Sequence, residues 1–165
     1  RADGDAGIQL RIWIGGHPMS NSYLPDGLPA PVPEVDGLST PYWEGLKAET
    51  LMVQQCSACG THQFGPEWLC HKCHSFDMNW VEAEGKGTIY SWERAWHPVH
   101  PALRAREEPY IVVLVELKGS GNVRMIGNLM GDPHQDVVIG SDVEVVFEHH
   151  AENDPPYTLA HWKVV

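Results

Sequence analysis

The chain has 165 residues, of which 42% are hydrophobic, which is enough for one core of ordinary size and a small satellite unit. Its formal charge of −11 disfavours nucleic acid as a partner, because a phosphate backbone repels a protein that does not gather its few cations on one face. Apolar runs such as residues 111–115 reach only strand length, whereas a membrane-spanning helix needs about 20 apolar residues. We therefore predict a protein that binds neither nucleic acid nor a membrane.

Residues 1–39 are predicted to form an extended Pro/Gly-rich arm. Prolines between residues 23 and 33 exclude a regular helix or a central strand there. Ile8, Leu10 and Ile12 alternate with polar residues and are too apolar to remain in water, so we favour an arm that wraps a partner over a disordered tail or a short strand. The first seven residues lack the apolar stretch of a signal peptide, which favours a cytoplasmic location.

A short helix is predicted to begin at Thr40, with threonine at the N-cap and Pro41 in the first helical position. It should run toward residue 51, with Trp43 and Leu46 on one side, and we interpret Trp43 as a core anchor rather than a ligand-stacking residue. Residues 51–55 then read as a strand that leads into the first pair of cysteines.

The four cysteines of the chain form two C-x-x-C motifs, Cys56 with Cys59 and Cys70 with Cys73, separated by ten residues. Such spacing lets four thiolates converge tetrahedrally on one Zn²⁺ and leaves no open coordination position for water or substrate. We therefore predict a rubredoxin-like zinc ribbon, within a unit spanning residues 40–79, whose metal is structural. Bound zinc with four thiolates would bring the net charge to about −13.

Other interpretations of these cysteines are weaker. Disulfides suit secreted chains, and a thioredoxin-like redox motif requires one C-x-x-C beside a βαβ unit. His62, His71 and His74 flank the motifs, and we interpret them as solvated residues or as supports of the thiolates, because cysteine-rich ribbons use their thiolates first.

From residue 80 onward the sequence changes to β-type patterns. Five runs are rich in β-branched and aromatic residues, and the segment 118–122 supplies glycines for a hairpin loop. Five short strands in about 85 residues predict a small closed barrel of the OB type over residues 80–165, so the fold class is mainly β. The five predicted strands are residues 85–92, 110–117, 123–129, 143–148 and 157–164.

This combination resembles a known family. The residues that carry the resemblance are 43–46 before the ribbon, Cys59-Gly60 within it, 85–91 after it, 109–112 in the next strand, and Ile139-Gly140. They are similar to the acyl-CoA-associated zinc-ribbon plus OB-fold proteins, long catalogued only as a domain of unknown function. The resemblance covers residues 40–150 and leaves the arm outside.

The resemblance implies a companion subunit of thiolase-superfamily enzymes, in a hetero-oligomer whose thiolase-like large subunit carries the reacting residues. Relatives in this family accompany a benzoylsuccinyl-CoA thiolase, aldolases that remove steroid side chains, and an acetyltransferase that makes acetylated phloroglucinols. The residues agree with this division of labour. Every cysteine is assigned to zinc, and the serine-hydrolase, zinc-protease and phosphate-loop motifs are absent from the sequence. We therefore predict no catalytic residue in this chain.

The connection between the first two barrel strands contains candidate ligand contacts. His97, His100, Arg104 and Arg106 lie there, where binding loops of this fold are often found. With a CoA thioester as the ligand of the complex, arginine suits the phosphates and histidine suits the acyl carbonyl. The alternative interpretation is an exposed, proline-stiffened loop with solvated charges.

Further residues and functions stay open at this point. Trp92 and Trp96 suit adenine stacking, but we favour core or subunit contacts for them, and we interpret His149 and His150 as surface residues rather than a metal site. A stand-alone OB-fold module for single-stranded nucleic acid is one alternative function. An enzyme that acts through His97 or His100 is another.

Overall fold

The fold is that of a computed structural model, which describes residues 36–97, 99–104 and 107–165 together with Tyr23, Leu28 and Pro33. Most of the predicted arm, residues 1–39, thus lies outside the described residues. The described part contains one α-helix and eight strands, which confirms the mainly β fold class. No helix in it is long and apolar enough to cross a membrane.

Helix α1 spans Thr40–Lys47, and its N-cap is Ser39 rather than the predicted Thr40. The Ser39 hydroxyl lies 3.0 Å from the Asp36 carboxylate and makes no capping bond to the helix. Lys47 ends the helix four residues before the predicted limit. Trp43 packs against the core and Leu46 is buried in it, which confirms the predicted helix face.

The ribbon sheet has three antiparallel strands in the order β2-β1-β3. They are β1 (Leu51–Cys56), β2 (His62–Gln63) and β3 (Met78–Ala83). Strand β1 confirms the strand predicted at residues 51–55, whereas β3 was not predicted as a separate strand. Because β3 pairs with β1 along its whole length, it closes the ribbon rather than opening the barrel. The expected boundary between residues 79 and 80 falls inside β3 and stays a prediction.

A second sheet has the order β6-β5-β4-β7-β8, with every neighbouring pair antiparallel. A parallel bridge between Leu129 and Trp162 joins its two ends, and the Met130 N–H donates to the Trp162 carbonyl at 2.7 Å. This closure makes the predicted five-stranded OB-type barrel. Its strands are β4 (Lys86–Ala95), β5 (Tyr110–Leu117), β6 (Arg124–Asn128), β7 (Asp142–His150) and β8 (Tyr157–Val164).

Residue alternation places the core inside the barrel. On β5 the residues alternate between half-buried and buried positions, with Ile111, Val113 and Val115 facing inward. Gly87 and Gly127 let neighbouring strands approach closely, since an added Cβ at Gly127 would lie 2.8 Å from the Trp162 ring. Helix α1 contacts both β1 and β8, so it joins the ribbon to the barrel.

Candidate functional site

The two cysteine motifs fold into equivalent turns. In the first, the Cys56 N–H donates to the Thr61 carbonyl at 2.9 Å and the Gly60 N–H to the Cys56 carbonyl at 2.8 Å. In the second, the Cys70 N–H donates to the Ser75 carbonyl and the His74 N–H to the Cys70 carbonyl, both at 2.9 Å. Each turn therefore presents its two thiols in the same way toward a shared centre.

The four thiols have the geometry of a tetrahedral metal site. All four sulfur atoms lie within 4.8 Å of one another, with Sγ–Sγ distances of 3.6 Å for Cys56–Cys73 and 3.7 Å for Cys59–Cys70. A tetrahedron with Zn–S bonds of about 2.3 Å has edges of about 3.8 Å, whereas a disulfide has an S–S distance of about 2.05 Å. The donor set thus fits one structural Zn²⁺, with two buried ligands and two exposed ones.

The acidities of the thiols also favour a bound cation. Hydrogen bonding with Thr61, whose hydroxyl lies 3.2 Å from the Cys59 sulfur, lowers the pKa of the Cys59 thiol to about 6. At Cys73 the Ser75 backbone also lowers the pKa, but hydrogen bonds with the other three thiols outweigh it and raise the pKa to about 12. Thiolates held this close together repel one another, and a bound metal ion would offset that repulsion.

His62 and His71 support the ribbon from outside the metal cluster, and His74 is exposed. His62 lies 3.1 Å from the Gln55 side chain, and His71 Nδ1 lies 3.1 Å from Gln63 Oε1. Among the described residues, the group that could hold a metal consists of the four cysteines alone.

Two buried glutamines that the sequence did not single out fix the loop between the turns. Gln54 Oε1 accepts from the Glu67 N–H at 2.9 Å, and Gln54 Nε2 donates to the Glu67 carbonyl at 3.1 Å. Gln63 Nε2 donates to Gln54 Oε1 and to the Leu69 carbonyl, both at 3.2 Å. The loop is thereby tied to β1 and β2, which positions the second turn opposite the first. The signal available in the sequence was Gln54, which shares a face of its strand with Met52 and Cys56.

Two polar residues of the predicted ligand loop, His100 and Arg104, bond to the backbone of the loop itself. His100 Nδ1 accepts from the Ala102 N–H at 3.2 Å and caps a short 3-10 helix at Pro101–Leu103. The Arg104 guanidinium donates to the Val99 carbonyl at 3.3 Å, and His97 is exposed. Arg106 lies outside the described residues. No hydrogen bond joins His97, His100 and Arg104 to one another in the described part of the loop.

Side chains from outside the predicted set pack beside this loop. His134 Nε2 lies 2.6 Å from a Glu108 carboxylate oxygen, and the His134 ring lies 5.5 Å from the ring of Trp96. The Arg94 guanidinium donates to the Pro133 carbonyl at 2.9 Å and so holds the segment that carries His134 against β4. Trp96, which is 53% exposed, offers an aromatic face at this end of the barrel.

A buried ionisable cluster lies at the far end of β7. Glu148 accepts from His150 at 2.6 Å and from His161 at 3.1 Å, and the Tyr23 N–H donates to it at 2.9 Å. Burial raises the pKa of Glu148, but the bonds to His161 and to the Tyr23 backbone outweigh it, so this pKa lies below its usual range. His149 is exposed as predicted, whereas the surface interpretation of His150 is wrong because its side chain is only 11% exposed.

Comparison with known families matches both parts of the described chain. Residues 43–79 match the model of the ChsH2 rubredoxin-like zinc ribbon domain, and residues 80–148 match that of the ChsH2 C-terminal OB-fold domain. The chain belongs to the ChsH2 family. The predicted ribbon, barrel and family resemblance are thus confirmed.

Solved relatives of the ChsH2 family share the fold. The chain is 36% identical to one described as "Ltp2-ChsH2(DUF35) aldolase", with a TM-score of 0.66 over 81% of this chain and 98% of that one. A DUF35-family protein of unknown function from Sulfolobus solfataricus is 16% identical, with a TM-score of 0.53 over 76% of this chain and 84% of that one, and shows the fold alone.

Sequence relatives carry two further descriptions. A "probable enoyl-CoA hydratase alpha subunit" of Thermomonospora curvata is 38% identical over 129 residues, which are 78% of this chain and 38% of that protein. The chain therefore spans well under half the length of this relative. A "DUF35 domain-containing scaffold protein" of Methanocaldococcus jannaschii is 28% identical over 67% of this chain and 77% of that protein.

Proposed function

We propose that this chain is a non-catalytic, zinc-binding companion subunit of a thiolase-superfamily enzyme that forms or cleaves a C–C bond in an acyl-CoA. The observation that carries the proposal is the 36% identity to a solved aldolase component of which the chain covers 98%. The scaffold and enoyl-CoA descriptions of the two sequence relatives support a role in assembly and an acyl-CoA setting.

The four cysteines indicate which subunit carries the reacting residues. Thiolytic chemistry requires a free, activated cysteine that accepts the acyl group. All four cysteines of this chain converge on one centre, where Zn²⁺ would supply a closed structural cross-link. The acyl-accepting residue is therefore assigned to the large subunit, while this chain orders the complex.

A retro-aldol reaction is the second candidate, and the description of the solved relative as an aldolase favours it. The two reactions differ in their second substrate, because a thiolase transfers the acyl group to CoA and a retro-aldolase releases a carbonyl product without CoA. Activity of the assembled complex with and without added CoA separates the two candidates.

The barrel end beside the β4–β5 loop is the proposed acyl-CoA contact. Arg104 is exposed and is bonded only to a backbone carbonyl in the described structure, so its charge is available to a CoA phosphate. Trp96 and His97 are exposed at the start of the same loop, which suits adenine stacking and a bond to a polar group of the ligand. We expect Arg104→Ala to raise the KM of the complex for its acyl-CoA without lowering kcat. Lys72→Ala, which removes a cation from the ribbon instead, is the matched control and should leave KM unchanged.

The proposal is tested by purifying the chain from its native cells at moderate salt, identifying what accompanies it by mass spectrometry, and measuring zinc. A stoichiometric thiolase-superfamily subunit with one zinc per chain is the expected result. Recovery of the chain alone would overturn the companion role. Recovery with nucleic acid in a salt-sensitive complex would favour the OB-fold nucleic-acid module instead.

A further inference from the structure

The outer face of the barrel carries a row of apolar side chains across β4, β5, β6 and the segment that precedes β7. We name this the apolar row, and it lies outside the metal site and the β4–β5 loop. Its members are Tyr90, Leu114, Ile126, Val138 and Ile139.

Strand register places these residues side by side. Leu114 on β5 lies opposite Ile126 on β6 and opposite Ser91 on β4. Tyr90 is the extra residue of a register shift in β4, which turns its ring outward at this level. On the other side of β4, the Gly140 N–H donates to the Ile89 carbonyl at 2.7 Å, which places the segment that carries Val138 and Ile139 along β4 at this level. The row thus crosses three strand spacings, or about 14 Å.

The apolar row is held open to solvent rather than folded away. Ile126 is 67% exposed, Val138 and Ile139 are each 64% exposed, and Tyr90 is 47% exposed. The Arg124 guanidinium lies 3.4 Å from the centroid of the Tyr90 ring and is also paired with Glu116 at 3.1 Å, so the ring is fixed in place. A contiguous exposed apolar surface of this kind marks an interaction site more often than isolated exposed residues do.

Charges around the row favour a basic partner surface. Arg124 and Lys118 are each paired with a carboxylate, Glu116 and Asp142 respectively. Glu93 and Asp136 are exposed near the row and have no cationic partner among the described residues. The border therefore carries surplus negative charge, in a chain whose net charge is −11. A second copy of this chain would bring like charges together, which disfavours self-association through this face.

We infer that the apolar row is the docking surface for the large subunit, and that the matching surface of that subunit is an apolar strip bordered by lysine and arginine. The inference rests on the proposed function for the identity of the partner. The position, the exposure and the acidic border of the apolar row do not depend on which partner binds there.

Site-specific photo-crosslinking in native cells tests the inference on the chain as it exists in its complex. A benzophenone amino acid replaces Ile126, Ile139 or, as the competing surface, the ribbon residue Phe76, which is 78% exposed. Crosslinks from positions 126 and 139 to the stoichiometric thiolase-superfamily subunit are expected. A crosslink to that subunit from position 76 alone overturns the inference while leaving the proposed function intact. Crosslinks from 126 and 139 to a second copy of this chain, or to nothing, also overturn it.

Affinity between purified subunits provides the second measurement. We expect Ile126→Lys to weaken binding at least tenfold, because a lysine at an exposed position removes apolar contact and repels a basic border. Phe76→Lys is the matched control, since Phe76 is 78% exposed on the ribbon, away from the apolar row, and it should bind like the wild type. Unchanged affinity of Ile126→Lys, with an unchanged urea midpoint, overturns the inference. The outcome is different if both positions crosslink to one other protein and that protein binds Ile126→Lys more weakly. The apolar row would then be a docking surface, but the proposed thiolase-superfamily partner would be wrong.

Discussion

Replacing Cys70 by serine should destabilise the ribbon and leave the stability of the barrel unchanged. Between positions 56 and 77 the buried residues are Cys56, Gln63 and Cys70, and the large apolar side chain that packs against the core is the half-buried Phe64. Structural zinc contributes about 10–16 kcal/mol in apparent binding free energy at pH 7. Divided over four thiolates, this is about 2.5–4 kcal/mol for each ligand, or about 100- to 1,000-fold in zinc affinity.

Zinc content and amide hydrogen exchange measure this effect. The variant should lose most of its zinc after dialysis against a chelator that leaves the wild type with one zinc per chain. The Cys56 and residue-70 amides, which donate to Thr61 and Ser75, should lose protection by a similar 100- to 1,000-fold. The Leu129 amide, bonded to the Ile111 carbonyl in the barrel, should keep its protection.

His71→Ala is the matched control for Cys70→Ser. It lies next to the ligand but bonds to Gln63, so it should retain zinc. Wild-type zinc affinity in Cys70→Ser, or equal loss of protection in ribbon and barrel, would refute the reasoning that the metal stabilises the ribbon alone.

Two further predictions concern the barrel. Gly127→Ala should destabilise the protein by about 1–3 kcal/mol in urea unfolding, because its Cβ would lie 2.8 Å from the fully buried Trp162 ring; an unchanged midpoint would contradict this. Glu148 has a lowered pKa in the folded state, so its stabilising effect is complete above its usual pKa of 4.5 and is lost as the pH falls through the lowered value. Glu148→Gln should therefore be less stable than the wild type at pH 7, and the two urea midpoints should converge as the pH falls below 4.5; a constant difference would refute this assignment.

The sequence predicted those elements whose patterns are local. The limits of β5 and β8 match the predicted runs because alternating β-branched and aromatic residues mark them directly. In the β5–β6 turn, Gly119 and Gly121 have φ of +73° and +58°, as expected of a hairpin loop rich in glycine. The cysteine cluster also follows from spacing alone, because two C-x-x-C turns have few other uses.

Features that depend on distant contacts were not predicted. Strand β3 follows the second cysteine turn without a strong pattern, and it is defined by pairing with β1 about 27 residues earlier. The helix start was misplaced by one residue because Ser39 and Thr40 are both N-cap residue types, and only the contact with Asp36 distinguishes them. His150 was interpreted as a surface residue because its burial depends on Glu148 and on the stacked Tyr157 ring, 4.3 Å away.

Reconstitution of the complex tests the central claim most directly. The large subunit, this chain and an equimolar mixture of the two would each be assayed for C–C cleavage of the acyl-CoA that the native complex consumes. The companion role predicts no activity from this chain alone and at least tenfold more activity from the mixture than from the large subunit alone. Cleavage by this chain alone, retained after purification and lost in His97→Ala or His100→Ala, would contradict the account and make the chain an enzyme in its own right.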